Sequence, residues 1–179
     1  MNGNPGDPPV HRHASLDSTN SEALRLGESG ARHHTVVVAE YQSAGRGQMD
    51  RRWLMPRGQG VLLSILLRET PPGAEFAKLT LRVGRAVADL LGRESGLRIE
   101  IKAPNDLMIE GKKVAGILSE ARWRGEDLLF AVVGVGINVN VLEFPPEISD
   151  SATSLALAAG REFDLEGLIQ GLILCLRSL

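Results

Sequence analysis

The strongest constraint on the fold lies between Arg98 and Asn140, where short apolar segments follow one another with only tight turns between them. Arg98-Ile99-Glu100-Ile101 alternates as a half-buried strand does. Leu107-Met108-Ile109 and residues 114–120 flank Glu110-Gly111, a short turn in which glycine takes positive φ at no steric cost. Arg124-Gly125 marks a further turn before residues 128–135. Strands in hairpin sequence make a meander, and the strict βαβα alternation of a Rossmann fold is absent. Upstream, residues 35–40 are a β-branched run and 61–67 an apolar one, both of strand length. Phe76, Leu79, Val83, Val87, Leu90 and Leu91 recur at helical spacing, with Gly92 and Gly96 near the end. Thr19-Asn20-Ser21-Glu22 reads as a capping box, with the Thr19 hydroxyl and Glu22 carboxylate closing a helix start. Gly27 and Gly30 offer stopping points, and further helices are expected over 154–159 and from Leu165 onward. The fold class is α+β, a mixed, largely antiparallel sheet flanked by helices.

Composition narrows the function classes. The 179 residues suit one domain. A formal net charge of -2 argues against nucleic-acid binding by bulk electrostatics, while leaving room for a local positive cluster that holds a small anion. Cys175 is the only cysteine, which excludes an intrachain disulfide and a cysteine-rich zinc site and is compatible with a reducing cytosol. Residues 1–15 read as a flexible leader of turn-forming residues without a signal-peptide pattern, and residues 16–179 as the folded domain. No apolar stretch reaches the roughly 18 residues of a membrane span. His11, His13, His33 and His34 lack the further ligand clusters that a metal site requires, so metal ligands stay unassigned.

Four polar segments can carry chemistry. From Glu40 to Trp53 the chain is rich in glycine and arginine, suited to close backbone approach and to neutralising phosphate or carboxylate. It equally suits a solvated basic loop, and it lacks the Gly-Lys-Ser/Thr of a Walker A loop. Lys102-Ala103-Pro104-Asn105-Asp106 presents a lysine, an amide and a carboxylate from a stiff turn, or is simply a turn. Lys112 and Lys113 open an apolar strand and alternate in direction, so at most one faces a pocket; the pair also fits a guarded sheet edge. Gly116 leaves space for a ligand beside the sheet. Gly134-Val135-Gly136-Ile137-Asn138 lacks the helix of a dinucleotide fingerprint and suggests a bulge or tight strand crossing.

In this order the segments resemble the biotin protein ligase family. Ser18-Thr19-Asn20 matches its Ser-Thr-Asn, and Gly45 to Trp53 matches in part its Gly-Arg-Gly-Arg-x-Gly-Arg-x-Trp loop. Lys102 to Asp106 matches Lys-Trp-Pro-Asn-Asp, and Lys113 to Glu120 matches Lys-x-x-Gly-Ile-Leu-x-Glu. Gly134 to Asn138 matches Gly-x-Gly-Ile-Asn, and Ala152 to Leu155 matches Ala-Thr-Ser-Leu. One such piece is weak; all of them in register are specific. The departures are Gln48 for an arginine, Asp50 for a glycine and Ala103 for a tryptophan.

The resemblance implies a fold like that of class II aminoacyl-tRNA synthetases and biotin ligases. It also implies a two-step reaction: biotin and ATP give biotinyl-5′-adenylate, and a carrier-protein lysine then takes the biotin. On that basis Arg46 and Lys113 bridge the carboxylate and α-phosphate, Asp106 orients the incoming lysine, and Lys102 lies near the phosphates. Ser18, Thr19, Asn20 and Gln42 face the ureido end of biotin, while Gly45, Arg46, Gly47, Gln48, Lys113 and Gly116 line the rest of its site. Arg51, Trp53, Asn105 and Asn138 lie toward the nucleotide, and Mg²⁺ accompanies the ATP. Glutamine at 48 keeps one donor group but loses the charge, so weaker hold on the adenylate is expected unless Arg51 or Arg52 compensates. The implied partner is a biotin carboxyl carrier protein or domain, such as that of acetyl-CoA carboxylase, in the cytoplasm, with a homodimer possible and no DNA or membrane. On the same basis no helix-turn-helix is expected before Ser18, and the small β-barrel domain that usually follows in the family is expected to be absent. A lipoate ligase-like acyl-adenylating enzyme and a non-catalytic biotin-binding relative are the alternatives.

Overall fold

A computed structural model describes residues 8–49, 51–68 and 74–179. Most of the proposed leader, residues 1–7, and the departure at Asp50 lie outside the described residues. The elements in chain order are β1 (Val10–His13), α1 (Thr19–Glu28), β2 (Val36–Ala39), β3 (Gly60–Leu67), α2 (Ala74–Ser95), β4 (Glu100–Lys102), β5 (Asp106–Ile109), β6 (Lys112–Arg124), β7 (Asp127–Asn138), α3 (Leu155–Ala159) and α4 (Leu165–Arg177). The strands form one seven-stranded sheet in the order β1-β2-β3-β7-β6-β5-β4. Every neighbouring pair is antiparallel except β1 with β2. The meander read from 98–140 is therefore one half of the sheet, and Glu110 and Gly111 both turn at positive φ (49° and 79°).

Alternation along the strands sorts side chains to two faces. Leu63 and Ile65 of β3, Val133, Val135 and Ile137 of β7, and Ile117 of β6 pack under α2 and α4, with Leu79, Val83, Val87, Leu172 and Leu176 facing them. The opposite face is covered in two places. Ala23 and Leu24 of α1 meet Val37, Leu66, Phe130 and Val132 at one end. Met55, Leu62 and Val141 cluster at the other. Between these two patches the sheet is open.

The structure departs from the sequence expectations at identifiable points. Val10–His13, read as leader, is an edge strand paired with Val36–Ala39, and its Arg12 donates to Glu166 of α4 through both terminal guanidinium nitrogens (2.7 and 3.0 Å). The cap of α1 is Ser18, not Thr19, and its hydroxyl accepts from the Ser21 amide. Thr19 is instead the first residue of the helix, and its hydroxyl donates to Gln42 Oε1 at 3.0 Å. Gly27 does not stop α1 but sits inside it, where any Cβ would strike the Phe130 ring. The helix ends at Glu28, two residues before Gly30 at φ 86°. Lys112 and Lys113 guard no edge, since β6 lies between β5 and β7. Gly134 and Gly136 are neither bulge nor crossing; both keep regular register with β3 and β6. Among the described residues no helix is long and apolar enough to cross a membrane.

Candidate active site

The open part of the sheet becomes a cleft of about 570 Å³ because glycines replace side chains on that face. Gly136 of β7 pairs with Gly116 of β6 and with Leu62 of β3, and Gly116 pairs in turn with Asp106 of β5. One register step away, Gly134 lies between Leu118 and Ser64. The half-buried Trp53 settles on this floor: a Cβ on Gly136 would come 2.5 Å from its Cε2, and one on Gly116 2.9 Å from its Cζ3. A Cβ on Gly134 would collide with the Asn20 amide.

A β-bulge aims the lysine. Lys113 opposes Met108 and Ala115 opposes Leu107, so Val114 is the extra residue. Simple alternation would put positions 113 and 116 on opposite faces; the bulge shifts the phase and brings both to the cleft. Val114 and Ala115 are then both buried in the core. The backbone of Lys113 is held on its other side too, donating to Ser151 O (2.8 Å) and accepting from Thr153 N (2.9 Å). The Asn138 amide donates to Thr153 O at 3.0 Å, tying β7 to that segment.

The other cation comes from the loop between β2 and β3. Gly47 N donates to Arg51 O (2.7 Å) and Trp53 N to Gly45 O (2.9 Å), folding the loop into a small hairpin. Arg46 and Lys113 both line the cleft, and each meets a carboxylate. Arg46 Nη2 lies 2.8 Å from Glu120 Oε2. Lys113 Nζ lies 2.6 Å from Asp106 Oδ1, an ion pair by distance that is not aligned as a hydrogen bond. The ammonium also stands 5.4 Å from the centre of the Trp53 ring. Both cations remain partly exposed, 42% for Arg46 and 30% for Lys113, so neither is spent in a buried pair.

At the α1 end the wall is polar. Gln42 Oε1 accepts from the Thr19 amide (2.6 Å) and hydroxyl. The Ser64 hydroxyl lies 2.8 Å from Thr19 Oγ1 and 2.6 Å from Asn20 Oδ1, and its single proton serves one of them at a time. Asn20 Nδ2 donates to Leu118 O and to Glu120 Oε2. A continuous polar chain thus joins Gln42 to Arg46.

Of the residues singled out from sequence, Ser18, Thr19, Asn20, Gln42, Arg46, Gly47, Gln48, Arg51, Trp53, Lys102, Asn105, Asp106, Lys113, Gly116 and Asn138 all border this cleft. Gly45 does not; it is buried behind the Trp53 backbone and borders a smaller neighbouring hollow. Ser64 was not singled out, and Glu120 was noted only as the end of a motif, without a role. Ser64 is the single polar residue in an otherwise apolar run, and Glu120 follows Gly116 and Leu118 at the strand period. Both signals were legible. Among the described residues no group of three or more His, Cys, Asp or Glu is placed to hold a metal ion.

A glycine-floored cleft on an α+β sheet, polar at one end and lined by several cations, Arg46 and Lys113 among them, is suited to bringing two small anions together. The chain belongs to the biotin/lipoate A/B protein ligase family, whose model matches residues 13–138. The relatives named below are biotin ligases. It is 41% identical over 165 residues to the bifunctional ligase/repressor BirA of Bacillus subtilis, covering 91% of this chain and 51% of that protein. It is 40% identical over 130 residues to the biotin–[acetyl-CoA-carboxylase] ligase of Paracoccus denitrificans, covering 70% of this chain and 52% of that one. The fold superposes with a TM-score of 0.81 and 30% identity on a biotin protein ligase from Aquifex aeolicus in complex with biotin and ATP, over 95% of this chain and 69% of that one. The chain spans about half the length of the curated relatives it matches.

Proposed function

We propose that this chain activates biotin with ATP, forming biotinyl-5′-adenylate and pyrophosphate, and passes the biotin to a lysine of a carboxyl carrier protein in the cytoplasm. The observation that carries the reading is that Arg46 and Lys113 line one cleft with unspent donors. Attack of a carboxylate on the α-phosphorus brings two anions together, so preorganised positive charge is the main requirement. Lys113 supplies it from a strand fixed on both sides, and Arg46 from the loop above. An ammonium has donors beyond the one facing Asp106, and a guanidinium has a second edge beyond the one facing Glu120. When a substrate anion draws Lys113 toward it, Asp106 is freed to orient the incoming amine and accept its proton. Lys102, exposed at the cleft edge, is suited to the outer phosphates. The polar wall of Ser18, Thr19, Asn20 and Gln42 suits a ureido group, and Trp53, Arg51, Asn105 and Asn138 the nucleotide.

Mg²⁺ fits as a companion of the nucleotide. Asp106 and Glu120 already face cations, so it would take most of its oxygens from phosphate and water. It would offset triphosphate charge.

Incubation of the purified chain with ATP and labelled biotin, without carrier, tests the reading. Biotinyl-adenylate with matching pyrophosphate supports it. Lipoyl-adenylate from lipoate instead would make the chain a lipoate-type enzyme, and binding without pyrophosphate a non-catalytic relative. Gln48 borders the cleft where the family loop carries an arginine, so the reading includes loose retention of the adenylate. Gln48→Arg is expected to lower the adenylate released per turnover by roughly tenfold, the worth of one charge-assisted hydrogen bond; equal release would sink this point.

A further inference from the structure

The geometry points to Glu120 as a positioning residue for Arg46: its carboxylate holds one edge of the guanidinium against the sheet, leaving the other edge for substrate anions. Glu120 lies on β6 two residues beyond Leu118 and four beyond Gly116, in register with Val132. Its side chain is 23% exposed. A single oxygen, Oε2, accepts from Arg46 Nη2 and from Asn20 Nδ2, each at 2.8 Å.

The mount is rigid because Asn20 is fixed elsewhere. Its Nδ2 also donates to Leu118 O at 3.1 Å, and its Oδ1 lies 2.6 Å from the Ser64 hydroxyl. Strands β3 and β6 and the first turn of α1 therefore meet at this amide. Arg46, by contrast, stands on a loop hairpin and has a long side chain that loses much rotamer freedom when it is held. Among the described residues its other tie is the backbone bridge to Arg52, which orients the chain and not the guanidinium. One bond through a terminal nitrogen leaves Nε and Nη1 unblocked by Glu120, so the carboxylate steadies the group without covering it. Asp106 is placed differently: its contact with Lys113 is close but unaligned, and the lysine is already fixed through its strand.

The kinetic test rests on the adenylating activity proposed above. Biotin-dependent pyrophosphate release is measured for the parent chain, Glu120→Ala, Glu120→Gln, Arg46→Ala and the double alanine variant. Glu120→Ala is expected to lower kcat/KM by roughly ten- to a hundredfold, the worth of a hydrogen bond to a charged group. Glu120→Gln, whose carbonyl can still accept from Arg46, should recover to within about threefold of the parent. The double variant should be no worse than Arg46→Ala, because a mount has no effect once its load is gone. Losses that multiply in the double variant, or a glutamine variant no better than alanine, would overturn the assignment. A second readout needs no turnover: trypsin should cut after Arg46 several times faster in Glu120→Ala than in the parent or Glu120→Gln. Equal cutting rates reject the tether. A parent chain that makes no adenylate rejects the activity reading instead, and the proteolysis still decides the role of Glu120.

Discussion

Under α2 and α4, strand β7 presents Ala131, Val133, Val135 and Ile137; toward the opposite face it presents Phe130, Val132, Gly134 and Gly136. The same backbone thus builds a closed core on one side and, at its centre, a cleft floor on the other. Strand β3 repeats the division with Leu63 and Ile65 against Leu62, Ser64 and Leu66. The floor of the cleft exists because side chains are omitted there. Omission is cheap on that face because Trp53 and the Asn20 amide fill part of the space above the glycines. The cost is a site intolerant of any added carbon.

The largest effect should come from the sealed face. Leu63→Ala removes a fully buried side chain and should cost about 2–5 kcal/mol in chemical denaturation while leaving the biotin affinity of the folded protein within about twofold. If affinity collapses with stability, the faces are not separable. Gly136→Val is the converse. Its Cβ would press on Trp53, so biotin affinity by titration calorimetry should fall by about a hundredfold, with an overpacking cost of about 1–3 kcal/mol. Normal affinity would mean that this floor is not the binding surface. Ser64→Ala, one residue from Leu63 but on the other face, deletes a hydroxyl bonded between Thr19 and Asn20. A stability loss of about 1–2 kcal/mol and about fivefold weaker biotin binding are expected, the second effect being absent if Ser64 serves only the fold.

The smallest effect lies away from both faces, at the tie between β1 and α4. Bonds from Gln170 and then Arg12 hold the Glu166 carboxyl below its ordinary range. A lowered folded-state value means that the stabilisation is fully present above the unfolded value. It is lost as pH falls from about 4 through the folded value. Because the pair is half exposed, it is worth less than about 1 kcal/mol. Thermal melts from pH 5 to pH 3 should therefore show the parent losing slightly more than Glu166→Gln. Identical slopes would remove the carboxylate from the account.

Legibility followed the range of the interactions. The meander, the 74–95 helix and the turn at Glu110-Gly111 could be read because strand period, helical period and positive φ are properties of neighbouring residues. The cations, Asp106 and most of the polar wall were found through the motifs, but the pairing of Lys113 with Asp106 and of Arg46 with Glu120 was not. Val10–His13 gave no strand signal, since an edge strand held by one neighbour and an ion pair to Glu166 needs no apolar alternation. The capping box at Thr19 looked sound locally, but its hydroxyl donates to Gln42 and accepts from Ser64, both distant in the chain, and Ser18 caps the helix.

What the sequence determined alone was the order and type of most elements, and which residue types stand ready at their ends. Only the tertiary structure decided that Val114 bulges out and turns Lys113 toward Gly116, since a change of phase is defined by the partner strand. It alone decided that Glu120 meets Arg46. Both follow from contacts between residues far apart in the chain, whose energies no local pattern contains.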